Sequence, residues 1–307
     1  MRKTSLDCIY ELAKIDERVM FIGSDLGAGT LANFKNEIPE RFFMEGISEA
    51  NVIGMAAGLA LAGRIVYVNT IATFLTRRAY EQIALDLCLH NANVRLIGNG
   101  GGVVYGPLGP THQAIEDIGL MSLLPNMTVL APADAHEMRR LIPQTLDHDG
   151  PVYIRVAKGG DRVVTDQVAE TSLGKAVLMR EGSDILLITT GIMLQVALAA
   201  ADLLAEDGVS VCVLHFPTIK PLDTVTLNRH THAKRGVMVL EEHVPIGGLA
   251  TQITQALIES GQIQGTRYAR MGLPDTFIKG YGSQDELLKA YGLDMESVRK
   301  KVHELLD

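Results

Sequence analysis

EGISEANVIGMAAGLALAGRIVYVNTIATFLTRRAY, residues 45–80, decides how this chain is read. Acidic and small polar residues, EGISEAN, open directly into NVIGMAAGLALAG, where apolar and small residues are too dense for a one-sided amphipathic helix. The stretch reads as a buried helix. RIVYVNTIATF is β-rich and reads as an interior strand that delivers Phe74 at its C-terminal end. Glu49 then stands at the mouth of a buried helix with a large aromatic one strand away. A carboxylate there must be paired, hydrogen-bonded or neutralised, because an uncompensated buried charge is costly.

The alternation extends outward on both sides. Residues 4–15 fit a helix, and VMFIGSDLGAG (19–29) fits a strand running into a Gly-rich loop, which in α/β sheets lies on the ligand side. After Phe74 come an amphipathic helix (77–92), a strand (93–100) and GGGVVYGPLGPTH (100–112), a long Gly/Pro loop of the kind that carries function. QAIEDIGLMSLL (113–124) reads as helix, TVLAPA (128–133) as strand, 134–148 as a helix with Asp134 as N-cap, and 151–157 as strand. The pattern loosens over 158–175, which reads as a linker. Strands at 184–191, 209–216 and 236–243 follow, with helices at 192–208, 247–261, 283–293 and 294–306. The fold class is therefore α/β, two domains of mainly parallel sheet with helices on both faces, divided as 1–165 and 166–307.

Composition narrows the function classes. A net charge of −8 over 307 residues argues against nucleic-acid or anionic-membrane partners, which need a basic face. The longest apolar run, Val52 to Ala62, is too short to span a bilayer, and the N-terminus reads as a helix rather than a signal peptide. Cys8, Cys88 and Cys212 are widely spaced in apolar contexts, as expected of buried reduced thiols in a cytoplasmic protein.

Single residues decide little. A Glu in the first turn of a helix is favoured by the macrodipole whatever its function, and Thr111 before His112 serves equally well as an N-cap. Gly98, Gly100, Gly101 and Gly102 lack the Gly-Lys-Ser/Thr or Gly-x-Gly-x-x-Gly that would make a nucleotide loop. No His/Cys cluster has metal spacing, and no nucleophile elbow stands out. His215, His230, His232 and His243 read as surface or packing residues.

Order is more informative. SDLG (24–27), ISEANVIGMAAGLA (47–60), ATFLTRRAYEQ (72–82), GPTHQAIEDIGLM (109–121), LPNMTVLAPAD (124–134) and GPVYIR (150–155), followed by LEEH (240–243), GGLA (247–250) and LPDTF…YGSQDELLKAYGL, resemble the transketolase family and the related deoxyxylulose-phosphate synthases. The resemblance spans nearly the whole chain. Full-length members begin with a domain whose Gly-Asp-Gly motif and following Asn hold the diphosphate of thiamin diphosphate through a divalent metal; nothing here matches it. The resemblance thus implies the pyrimidine-binding and C-terminal domains, the beta half of a split enzyme. An alpha subunit would hold the diphosphate and Mg2+ in an α2β2 assembly.

Residue by residue, the resemblance implies that Glu49 bonds N1′ of the cofactor's aminopyrimidine and that Phe74 stacks on that ring, with Tyr80 as a neighbouring wall. It implies that His112 reaches the donor's oxygens and moves protons. Arg155, Arg77 and Arg2 match substrate- or phosphate-contacting arginines, Arg77 across a segment one residue longer than usual. Where pentose-phosphate transketolases read sugar hydroxyls with His and Asp, this sequence has Gly100 and Leu108, beside Pro107. The expected activity is transfer of a ketol or acyl unit between ketose or 2-oxo donors and aldehyde acceptors. The alternatives are a 2-oxo-acid dehydrogenase beta chain and a non-catalytic scaffolding subunit.

Overall fold

The computed structural model describes residues 1–24, 31–157 and 159–307; the loop expected after the first strand lies at 25–30, outside them. The chain begins with α1 (Arg2–Ile15), β1 (Val19–Gly23), α2 (Ala32–Glu37), β2 (Phe42–Met44), α3 (Glu49–Leu61) and β3 (Ile65–Ile71). A helical stretch follows in which one α turn, α4 (Tyr80–Gln82), is flanked by π-helical turns at Phe74–Arg78 and Ile83–Leu89. Then come β4 (Val94–Asn99), α5 (Asp117–Leu123), β5 (Thr128–Leu130), α6 (Ala135–Leu141) and β6 (Val152–Val156). The second half contains β7 (Val177–Arg180), β8 (Ile185–Thr189), α7 (Met193–Glu206), β9 (Val211–His215), β10 (Thr218–Lys220), α8 (Thr224–Thr231), β11 (Gly236–Leu240), α9 (Leu249–Glu259), β12 (Arg267–Met271), α10 (Gln284–Ala290) and α11 (Met295–Leu306).

Two sheets result, ordered β10-β5-β6-β4-β3-β1-β2 and β12-β11-β8-β9-β7. Among the described residues, only the edge strands β10 and β7 run antiparallel to their neighbours. Alternation along the strands explains the layering. In β3, Ile65 and Tyr67 pack in the cluster that holds α1's Leu6 and Ile9, whereas Val66 and Val68 pack with α3's Val52 and Ile53. That second cluster also takes Leu186 and Ile188 of β8, Val237 and Val239 of β11, and Ile253 of α9. The two sheets therefore share one central core, with α3 and α9 inside it.

Several elements depart from the sequence expectations. β3 ends at Ile71, so Phe74 belongs to the π turn and not to the strand. The helix expected over 113–124 starts only at Asp117, because Ala114 is held in backbone bridges to Gly101 and Gly102. The helix over 134–148 breaks at Ile142 into a 3-10 turn carrying Pro143, whose missing N–H and ring oppose continuation. The short strands β2, β7, β10 and β12, and the helices α2 and α8, carry too weak a periodic signal to be read from sequence.

The expected linker is pinned down. Asp134 caps α6 through the N–H groups of His136 and Glu137, both at 2.9 Å, and its other oxygen accepts from Val164 at 2.7 Å and Thr165 at 2.8 Å. Cys8, Cys88 and Cys212 are free and buried, as expected. No helix among the described residues is long and apolar enough to cross a membrane.

Candidate active site

The site forms where β3 runs out. Glu49 opens α3, where the helix N-terminus favours a negative charge. Its side chain is 2% exposed, and Arg78 Nη1 donates to its Oε2 at 2.6 Å. The compensation that a buried carboxylate requires is thus an arginine that sequence reasoning did not single out. Arg78 is itself 49% exposed, and its guanidinium carbon stands 4.7 Å from the centroid of the Phe74 ring. Phe74 in turn meets His112 edge to face, with centroids 5.1 Å apart and planes at 68°. Glu49, Arg78, Phe74 and His112 form one continuous chain of contacts.

The π turn at Phe74–Arg78 makes this possible. Such a turn spends more residues per turn than an α-helix, and it sends two successive arginines to different partners. Arg77 faces the 109–116 loop: its Nε donates to Glu116, and Nη2 donates to the Gln113 carbonyl at 3.0 Å. It clasps the segment that presents His112. His112 Nδ1 lies 2.9 Å from Thr111 Oγ1, so Thr111 orients the ring. Gln113 is 1% exposed, and neither atom of its amide is hydrogen-bonded.

Arg155 lies elsewhere. On β6, it is 7% exposed; its Nε sits 3.2 Å from Asp117 Oδ2, and Nη2 donates to the carbonyls of Glu242 at 2.9 Å and Ala114 at 3.2 Å. Burial works against its charge, but Asp117 and Glu242 outweigh it and hold the guanidinium above its ordinary value. Tyr153 donates to the same Asp117 oxygen at 2.6 Å. Glu242, whose carboxyl is pushed up by burial, accepts from the Val103 N–H and from Gln284. Gly101 and Gly102 are small because Arg155 and the Glu242 carboxylate lie where a Cβ would go. The cavity at Arg155, Met1 and Glu242 is about 10 Å³, the room of a single water. In this chain Arg155 ties the two domains together.

The remaining residues divide similarly. Tyr80 donates to the Leu120 carbonyl at 3.2 Å, bracing α5, and Arg2 is half-buried at the first position of α1. His215 and His243 are packing residues: one bonds the buried Glu137 at 2.9 Å, and the other accepts from the Gly119 N–H at 3.1 Å. Pro107 lines a groove of about 500 Å³ between the domains with Val104, Arg162 and Gln284. No group of three or more His, Cys, Asp or Glu among the described residues could hold a metal ion.

Comparison with known proteins covers both halves. Residues 1–160 match the family model for the transketolase pyrimidine binding domain, and residues 174–298 that for the transketolase C-terminal domain. The chain belongs to the transketolase family. A putative transketolase C-terminal section from Methanocaldococcus jannaschii is 35% identical, with 99% of this chain and 95% of that protein covered. The 6-deoxy-6-sulfo-D-fructose transketolase subunit SqwH of Clostridium sp. (strain MSTE9) is 34% identical over 100% and 94%. One subunit of the apulose-4-phosphate transketolase of Phocaeicola vulgatus is 33% identical over 99% and 97%. A solved structure described as a split gene transketolase, inactive beta4 tetramer, superposes with a TM-score of 0.90 at 33% identity, over 99% of this chain and 97% of that one. By contrast, the chain covers 46% of the 1-deoxy-D-xylulose-5-phosphate synthase of Desulforudis audaxviator, at 34% identity. Its extent is that of a transketolase-like beta subunit.

Proposed function

We propose that this chain works with an alpha subunit carrying the diphosphate and Mg2+ site, and that the pair transfers a ketol or acyl unit between carbonyl compounds using thiamin diphosphate in the cytoplasm. The observation that carries the proposal is the buried Glu49 carboxylate joined through one flat donor group to the face of Phe74. A ring with a protonated edge nitrogen and an aromatic face needs those two partners, so the residues present fit an aminopyrimidine. When bound, thiamin diphosphate supplies the nucleophilic carbon for carbonyl cleavage and transfer.

This chain's residues supply the rest. Glu49, in a water-poor position, accepts a proton-bearing ring nitrogen and fixes its protonation state. Phe74 sets the plane of the ring. His112, on a loop held by Arg77 and touching Phe74, is placed to give or take a proton at donor oxygens. Arg155, Tyr153 and Asp117 keep the domains in register beneath that loop, with the domain boundary placed at 165/166. An α2β2 assembly suits a site that needs both subunits.

Purified alone, the chain should bind thiamin diphosphate weakly and show no turnover; adding the complementary subunit should restore both. Tight, Mg2+-dependent cofactor binding by this chain alone would contradict the proposal. A second reading, a beta-only assembly without activity, draws on the description of the structural neighbour as an inactive beta4 tetramer. Turnover on mixing separates the two.

A further inference from the structure

Arg78 makes, within the chain, the two contacts that the aminopyrimidine would make. Its Nη1 donates to Glu49 Oε2 at 2.6 Å, and its guanidinium carbon stands over the Phe74 ring, 4.7 Å from the centroid. Guanidinium is flat, cationic, edge-donating and weakly hydrated, and it stacks on aromatic faces. It is therefore the protein side chain most like a protonated aminopyrimidine. Arg77, the residue before it, is tied to Glu116, Pro110 and Gln113. Arg78 has no such tether. Half of its side chain is in solvent, while the carboxylate it meets is 2% exposed. It can swing out into water at little cost, whereas Glu49 cannot be left without a partner.

We propose that Arg78 is a placeholder for the pyrimidine ring, covering Phe74 and compensating Glu49 in the free chain and displaced when the cofactor arrives. The proposal rests on the reading of Glu49 and Phe74 as the pyrimidine site. Binding is then an exchange of one partner of Glu49 for another. The apparent affinity is reduced by the fraction of molecules in which the pocket is open. A cover closed in about nine molecules of ten weakens binding about tenfold.

Thiamin without its diphosphate isolates this pocket from the metal site. Its binding to the whole chain is measured by ligand-observed NMR titration for wild type, Arg78→Met, Glu49→Gln and the double variant, with circular dichroism to check folding. Arg78→Met keeps an apolar stem for Phe74 and removes the competing charge; we expect thiamin to bind about tenfold tighter, while Glu49→Gln weakens binding. In the Glu49→Gln background Arg78 loses its anchor, so Arg78→Met should then gain less than about twofold. That arm remains readable even where Arg78→Met alone, with its buried carboxylate uncompensated, fails to fold. Equal or weaker binding by Arg78→Met, with Glu49→Gln still weakening it, overturns the placeholder and leaves the pyrimidine site standing. A gain that persists undiminished without Glu49 also overturns it. If Glu49→Gln changes nothing in either background, or no variant binds thiamin, the pyrimidine site fails and the placeholder with it.

Discussion

Arg155 Nε and Asp117 Oδ2 face each other at 3.2 Å in the interior, the arginine on β6 and the aspartate at the start of α5. Because the same arginine donates to the Glu242 carbonyl, the pair links the last strand of the first domain to the second. Asp117→Asn leaves a buried guanidinium facing an amide. Loss of one partner from a buried pair costs about 3–5 kcal/mol, and equilibrium urea unfolding should show a loss of that size. A loss below about 1 kcal/mol would be that of a surface pair, and Arg155 would then be free to serve a ligand.

Arg77→Ala should leave stability nearly unchanged while releasing the 109–116 loop. His112 then loses its fixed position beside Phe74, and misplacement by about 1 Å is worth up to about a hundredfold in rate. We expect kcat/KM of the reconstituted enzyme to fall between about tenfold and a hundredfold, with Tm held within a few degrees. Rescue by Arg77→Lys should be partial, because an ammonium cannot bridge Glu116 and the Gln113 carbonyl as a fork.

Glu49→Gln is nearly isosteric and leaves no buried charge in need of a partner, so the chain should fold. It cannot take part in proton sharing at the ring nitrogen. Turnover of the assembled enzyme should fall on the order of 10²–10⁴, and NMR should show slower exchange of the C2 proton of bound thiamin diphosphate. An unchanged exchange rate would leave Glu49 as a helix-terminal charge and nothing more.

Donor preference should depart from that of a pentose-phosphate transketolase. Gly100 is fixed as glycine by its positive φ of 77° and by the Tyr105 ring lying where a Cβ would go, and Leu108 is 53% exposed. Neither can read a sugar hydroxyl, so polyols should be discriminated poorly. A panel of xylulose 5-phosphate, pyruvate and hydroxypyruvate on the reconstituted complex tests this by kcat/KM. A preference for xylulose 5-phosphate above about a hundredfold, about 2.7 kcal/mol, would show hydroxyl recognition coming from elsewhere.

Asp134 should impose an acid limit. Burial pushes its carboxyl up, but the N–H groups of Glu137, Val164 and Thr165 and the Thr165 hydroxyl outweigh this and hold it below the ordinary 3.8. A depressed carboxylate contributes stability that is present above the unfolded value and is lost as pH falls through the folded one. The stability difference between wild type and Asp134→Asn, about 1–3 kcal/mol at neutral pH, should therefore shrink below about pH 3.8. Urea unfolding at successive pH values measures it; a difference that grows toward acid would reverse the assignment.

That Glu49, Phe74 and His112 come together was legible in sequence because each sits in an ordered series of motifs around a strongly apolar helix and strand. Their neighbours were not. The partner of Glu49 comes from Arg78, 29 residues away, and only the π turn decides which of two adjacent arginines reaches it. A residue added to a helix looks in sequence like more helix. The partners of Arg155 were not legible either: Asp117 and Glu242 reach it through tertiary packing, which leaves no periodicity. The interior parallel strands, buried on both faces, were plain, while β2, β7, β10 and β12 at the sheet edges were too short or too polar to register.

β10 has a consequence for how the chain can be divided. Coming from the second half, it pairs with β5 of the first sheet, Thr218 against Leu130 and Lys220 against Val129, while Lys220 caps the Ser122 and Leu124 carbonyls. The 166–174 stretch looks like the place to cut. A fragment ending there would lose its outermost strand, bare the hydrogen-bonding edge of β5 and expose the α3 face that packs in the shared core. Two sequence families meet in this chain, but they behave as one piece of architecture: the seam between them runs through a sheet.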